Sequence, residues 1–131
     1  ILSGLVGSEM CIRDSFNIAP TDNDVFDIES TKDQILCSVD ERKSFNNLLK
    51  LGLYDLFEKF DFSPQTFTWW DYRAGAFHRN IGYRIDHILG SKSVLDGCKS
   101  FTIDKETRHK SWCKKEPRTS DHAPVRVELS L

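Results

Sequence analysis

No run of apolar residues in the chain approaches the roughly 20 that a helix needs to cross a bilayer, so the sequence carries no helical membrane span. There is no Gly-rich phosphate loop, no internal repeat and no low-complexity tract, which excludes a P-loop nucleotide site and a solenoid. The four cysteines, Cys11, Cys37, Cys98 and Cys113, include no Cys-x-x-Cys pair, and this argues against a zinc module. The basic start and long apolar centre of a signal peptide are both missing. With nothing pointing to secretion, reduced thiols and a cytoplasmic location are the expectation, with no membrane association and no obligate protein partner. A formal net charge of −2 provides no global nucleic-acid signature.

What the chain does hold is the composition of an ordinary globular domain, 39% hydrophobic and 29% charged over 131 residues, enough for one modest core. Its charge is uneven. Residues 1–41 carry nine acidic against two basic side chains, whereas Lys105 to Arg118 carries six basic against two acidic ones. The second stretch suits phosphate, although a solvated charged loop has the same composition.

Two stretches concentrate chemistry. Thr119-Ser120-Asp121-His122-Ala123-Pro124-Val125 puts an Asp and a His at a loop-to-strand junction. There a rigid strand fixes side chains that the loop leaves accessible. Such a His serves as a base or a phosphate contact near neutral pH, with its tautomer set by a neighbouring carboxylate. Upstream, Arg84 to Leu89 alternates polar and apolar residues like a half-buried strand, which would place Asp86 on one face with Arg84 and Ile88. A carboxylate on such a face needs a partner, because an unpaired buried charge is expensive. His122 or the backbone amides of the 120–123 turn could supply it.

Phe67-Thr68-Trp69-Trp70-Asp71-Tyr72-Arg73, Arg84-Ile85-Asp86 and Ser120-Asp121-His122-Ala123-Pro124-Val125, in that order, closely resemble the exodeoxyribonuclease III and abasic-site endonuclease family of the endonuclease/exonuclease/phosphatase superfamily. Phe16-Asn17-Ile18-Ala19-Pro20 is similar to that family's Gly-Asp-Phe-Asn-Ile-Ala-Pro loop. The resemblance implies an α+β fold, the C-terminal half of a four-layer α/β/β/α (DNase I-like) sandwich, mostly antiparallel sheet with covering helices. It implies a Mg2+-dependent DNA repair nuclease, a 3′-5′ exonuclease and abasic-site endonuclease, with Mn2+ as an alternative ion. The partner would be double-stranded DNA, abasic or damaged at its 3′ end. By the same resemblance His122, Asp86 and Asn17 are catalytic, and Asn17, Asp121 and His122 serve the metal. Trp69, Arg73, Arg79, Arg84 and His122 would meet DNA, with Trp69 at the lesion and the arginines and the 105–118 patch around the rim.

The match is incomplete at one position. Where the family carries an Asp before the Phe-Asn pair, this chain has Ser15, and Asp14 is one residue early. A shift of one residue along a strand turns a side chain to the opposite face. The family's remaining metal ligands belong to a preceding half. The chain by itself is therefore expected to have little nuclease activity. The alternatives are a catalytically dead DNA-binding remnant of the scaffold or another superfamily phosphatase or phosphodiesterase.

Residues 1–15 do not fit the family and read as translated adaptor or vector sequence, which leaves 16–131 as the domain part. Residues 16–28 read as an irregular loop. The apolar stripe Phe45, Leu48, Leu49, Leu53, Leu56 and Phe57, broken near Gly52, predicts helices over Asp40–Leu51 and Tyr54–Phe60. Short strands are expected at Thr66–Trp70, Val94–Cys98, Phe101–Asp104 and Val125–Leu131. Of the adjacent Trp69 and Trp70, one can face the core and the other outward, although residue type alone favours core packing for either.

Overall fold

Antiparallel pairing and short helices make an α+β fold. The structure, a computed structural model, describes residues 2–6, 9–15, 17–108 and 120–130, with side chains described from residue 17 onward. In chain order the elements are β1 (Leu2–Val6), β2 (Glu9–Ser15), α1 (Ile28–Thr31), α2 (Val39–Leu49), β3 (Tyr54–Asp55), β4 (Trp69–Trp70), β5 (Gly82–Tyr83), β6 (Asp86–Gly90), α3 (Lys92–Gly97), β7 (Cys98–Ile103) and β8 (Val125–Leu129). They assemble into a sheet ordered β1-β2-β6-β3 and two ribbons, β4-β5 and β7-β8. No helix among the described residues is long and apolar enough to cross a membrane.

β6 is the organising strand. Ile88 packs with Leu56, Val94, Cys98 and Phe101, and Leu89 packs with Phe45 and Leu53 beneath α2. Successive side chains on a strand point to opposite faces, so both faces of β6 are covered, and His87 through Gly90 are all buried. The half-buried alternation expected over Arg84–Leu89 is thus replaced by a central strand that starts at Asp86. Arg84 lies before it, with its amide donating to Asp24 O at 2.9 Å.

α2 starts where its cap dictates. Ser38 Oγ accepts from Glu41 N at 3.2 Å, and Glu41 Oε1 in turn accepts from Ser38 N at 3.4 Å. Gly52, at φ +93°, takes the chain away from the helix end through a left-handed conformation. This helix matches the expectation to within two residues. The second expected helix is instead the strand β3 and a 3-10 turn over Leu56–Lys59. Tyr54 and Asp55 pair with Gly90 and Leu89, and the Asp55 side chain accepts from Phe57 N at 3.2 Å. Long-range pairing overrides the local stripe.

Val94–Cys98 also differs from its expectation. Residues 92–97 form α3, which turns Val94 into the core beside Gly90, where an added Cβ would lie 2.7 Å from Val94 Cγ1. The expected strand at 101–104 overlaps the second half of β7, which pairs with β8 from Ile103↔Val125 to Cys98↔Leu129. The segment 1–15, which stands apart from the family motifs, contributes β1 and β2 by its backbone, with Ser15 opposite Asp86.

Candidate active site

Three segments converge at the start of β6. The first is 68–70. Thr68 is completely buried, and its Oγ1 accepts from Ile85 N at 3.1 Å and Asp86 N at 3.2 Å, which pins the strand where Asp86 emerges. Sequence reading passed over Thr68, whose only signal was its place inside the aromatic run. The second segment is 121–123, laid against the first: Ala123 N donates to Thr68 O at 2.7 Å and Trp70 N to Asp121 O at 3.1 Å. Trp69 and His122 stand opposite each other in this pairing.

The third segment is β6 itself, which presents Asp86 to His122. The His122 Nδ1 lies 2.8 Å from Asp86 Oδ2 and 3.1 Å from Oδ1. Nδ1–H therefore donates to the carboxylate, and the other ring nitrogen, Nε2, stands 3.8 Å from Asp121 Oδ1. Asp121 is held in place by Trp69, whose Nε1–H donates to Oδ2 at 2.9 Å. Ser120 Oγ accepts from His122 N at 3.1 Å and closes the turn. Asp86, Asp121 and His122 thus come together across 36 residues of chain, with His122 as the partner that Asp86 requires.

The electrostatics follow from that pairing. The hydrogen bond to Asp86 raises the His122 pKa above its ordinary value, partial burial opposes it, and the charges of Asp86 and Asp121 add to the rise. The imidazolium form is favoured, and it can meet an anionic oxygen at Nε2.

Asn17 is exposed and adopts a left-handed conformation, φ +54°, two residues beyond the Ser15 that pairs with Asp86. Mg2+ binds through several oxygen ligands in near-octahedral geometry. Among the described residues no group of three His, Cys, Asp or Glu side chains comes together to hold a metal ion. One Asp121 oxygen is engaged by Trp69 and His122 Nδ1 by Asp86. Among the described residues, the donors do not by themselves make a Mg2+ site.

The residues expected to meet DNA separate into two groups. Trp69 is half-buried beside His122, with its ring 5.8 Å from that of Tyr83, whereas Trp70 is fully buried. One aromatic therefore faces the core and the other borders the site. Arg73 is 86% exposed and pairs with Asp71 at 2.9 Å, and this contact drops the Asp71 pKa to about 2. Arg79 is exposed on the same 71–81 loop, which Trp70 Nε1 anchors through Asn80 Oδ1 at 3.1 Å.

Arg84 is a correction. It is 1% exposed and inside a buried ionic cluster, with Nε 2.6 Å from Asp24 Oδ1, Nη1 2.9 Å from Asp55 Oδ2 and its guanidinium 4.1 Å from the Phe57 ring centroid. Both buried carboxylates need this cation, so none of it is left for a phosphate.

In the basic patch Lys105 is exposed, 5.5 Å above the Trp70 ring. Arg108 is buried instead, its Nη2 donating to Trp70 O at 2.8 Å and Asp71 O at 3.1 Å. The rest of the patch, 109–118, lies outside the described residues.

Against known proteins, the model of the family described as Endonuclease/Exonuclease/phosphatase matches residues 15–122. The exodeoxyribonuclease III of Haemophilus influenzae is 33% identical over 125 residues, covering 90% of this chain and 45% of that protein. A structure of the 3′ phosphatase NExo from Neisseria, bound to a product DNA hairpin, superposes with a TM-score of 0.84 at 40% identity, over 94% of this chain and 46% of that one. An AP endonuclease from Archaeoglobus fulgidus superposes with a TM-score of 0.82 at 27% identity, over 95% and 46%. The chain spans less than half the length of these relatives.

Proposed function

We propose, on the premise that the chain belongs to the Endonuclease/Exonuclease/phosphatase family, that it is part of a DNA repair nuclease that hydrolyses phosphodiesters at abasic sites and 3′ ends. The observation that carries this reading is the two-oxygen grip of Asp86 on His122 Nδ1 with Asp121 at the other ring nitrogen. Two roles are open to His122, a cationic contact to the phosphoryl oxygens and a base that removes a proton from water, and a raised pKa serves either. Asp86 orients the ring, and Asp121 faces the same phosphate region. Trp69 borders the lesion, and Arg73 and Arg79 meet the DNA backbone.

We assign Mg2+ to the longer protein, with Asp121 and Asn17 contributing oxygens to a site completed by other residues. The protein would act in the cytoplasm on chromosomal DNA. For this chain alone, Ser15 and the shortage of metal donors among the described residues support DNA binding without robust turnover. A 3′-phosphatase action on DNA is the second reading, supported by the Neisseria relative with its product hairpin.

Salt-titrated binding to abasic and intact duplexes, with incision assayed with and without Mg2+, tests the proposal. The chain should prefer the abasic duplex without cutting it. Trp69→Ala should erode that preference, whereas Arg73→Ala should weaken both duplexes equally and flatten the salt dependence. Robust Mg2+-dependent incision would overturn the inactivity of the chain, and an unchanged preference in Trp69→Ala would overturn the lesion assignment.

A further inference from the structure

We propose that His87 is a positioning residue of this site, tying the segment that carries Asn17 to the strand that carries Asp86. The inference rests on the role proposed for Asn17. His87 is completely buried in β6, next to Asp86, with its ring 4.9 Å from that of Phe45. A side chain that only filled this space would be apolar. Instead both ring nitrogens meet polar partners: Nε2 lies 2.8 Å from Ile18 O and Nδ1 lies 3.2 Å from Arg84 Nη1.

These partners specify one form of the ring. A carbonyl oxygen only accepts, so Nε2 carries the hydrogen, and a guanidinium only donates, so Nδ1 presents its lone pair. Arg84 is itself fixed by Asp24 and Asp55, so the orientation of the imidazole is set from behind.

The carbonyl that His87 holds belongs to the residue after Asn17, whose φ of +54° is uncommon for a side-chain-bearing residue and needs support from its surroundings. Farther along, Ala19 N donates to Leu36 O at 2.8 Å and Arg42 Nε donates to Ala19 O at 2.9 Å. On the other side β2 ends at Ser15, opposite Asp86. The His87 bond to Ile18 joins the residue after Asn17 to the strand that also carries Asp86. It turns strand register into the separation between a loop amide and a strand carboxylate.

The test separates packing from positioning. Long-range proton–nitrogen NMR of the imidazoles in the wild-type chain should find His87 in the Nε2–H form. His87→Phe keeps an aromatic ring beside Phe45 but removes the donor to Ile18, whereas His87→Gln restores a donor of similar reach. The Asn17 side-chain amide resonances should move in His87→Phe and return towards wild type in His87→Gln. Affinity for a 3′-phosphorylated duplex should fall several-fold in the first variant and recover in the second.

An Nδ1–H form in wild type, or Asn17 resonances unchanged in folded His87→Phe, would overturn the proposal. If His87→Phe does not fold, the wild-type tautomer and Asn17 in His87→Gln decide, and a displaced Asn17 in that variant counts against it. The amide readout needs no DNA. A chain that binds no duplex would therefore sink the nuclease reading and leave this one to the spectra.

Discussion

Asp86 grips His122 with both carboxylate oxygens, and the consequence at the scale of single residues is a titration. Asp86→Asn removes the largest cause of the raised His122 pKa, so the His122 midpoint should fall towards the ordinary value near 6.5. Because the folded pKa is the higher one, the pair contributes stability below about pH 6.5 and loses it as pH rises through the folded midpoint. The stability gap between wild type and Asp86→Asn should be widest in acid and close towards alkaline pH. NMR titration of the ring with denaturation at several pH values measures both, and an unmoved midpoint would refute the coupling. At this scale the sequence was informative where motifs carried it, at Asp86, Asp121 and His122. It misled at Arg84, because a cation on a predicted strand says nothing about Asp24, 60 residues earlier, which holds it inside.

At the scale of elements, β5 lies against β4 only because Gly82 has no side chain. A Cβ there would meet Trp69 O and Trp70 Cδ1, both at 2.6 Å. Gly82→Ala should destabilise the chain by about 1–3 kcal/mol, the usual cost of overpacking. It should also disturb Trp69, because backbone is one of the obstructing groups. Denaturant unfolding and the tryptophan emission spectrum check this, and a variant as stable as wild type would contradict the packing. Elements were legible where the apolar stripe was regular, as in α2 with Phe45, Leu48 and Leu49. They were not where a short apolar piece had two uses. Tyr54–Phe60 satisfies a helical stripe, yet its Tyr54 and Asp55 pair with β6, and Val94–Cys98 looks like a strand yet turns Val94 and Leu95 into the core from a short helix.

Across the whole molecule, the Arg84 cluster joins the loop at Asp24, β3 at Asp55 and β6 at His87. Burial and the neighbouring Arg84 charge hold the His87 pKa below its ordinary value, in keeping with a neutral ring. Arg84→Met should cost about 3–5 kcal/mol, because it strands two buried carboxylates. It should leave the salt slope of DNA binding unchanged in whatever fraction stays folded, since Arg84 reaches no solvent. Equilibrium unfolding and a salt titration on this variant read the two effects separately. A flattened slope with unaltered stability would return Arg84 to the DNA surface.

By itself the sequence determined the family, the α+β class, the long helix and the identity of the groups that meet at His122. All of these are carried by side-chain type in a fixed local order. Tertiary structure alone decided which charges face inward, which apolar pieces become strands, and that Thr68 and His87 hold the site in place. Those outcomes depend on neighbours tens of residues away, because the free energy of a buried charge or a paired strand is set by what lies across from it.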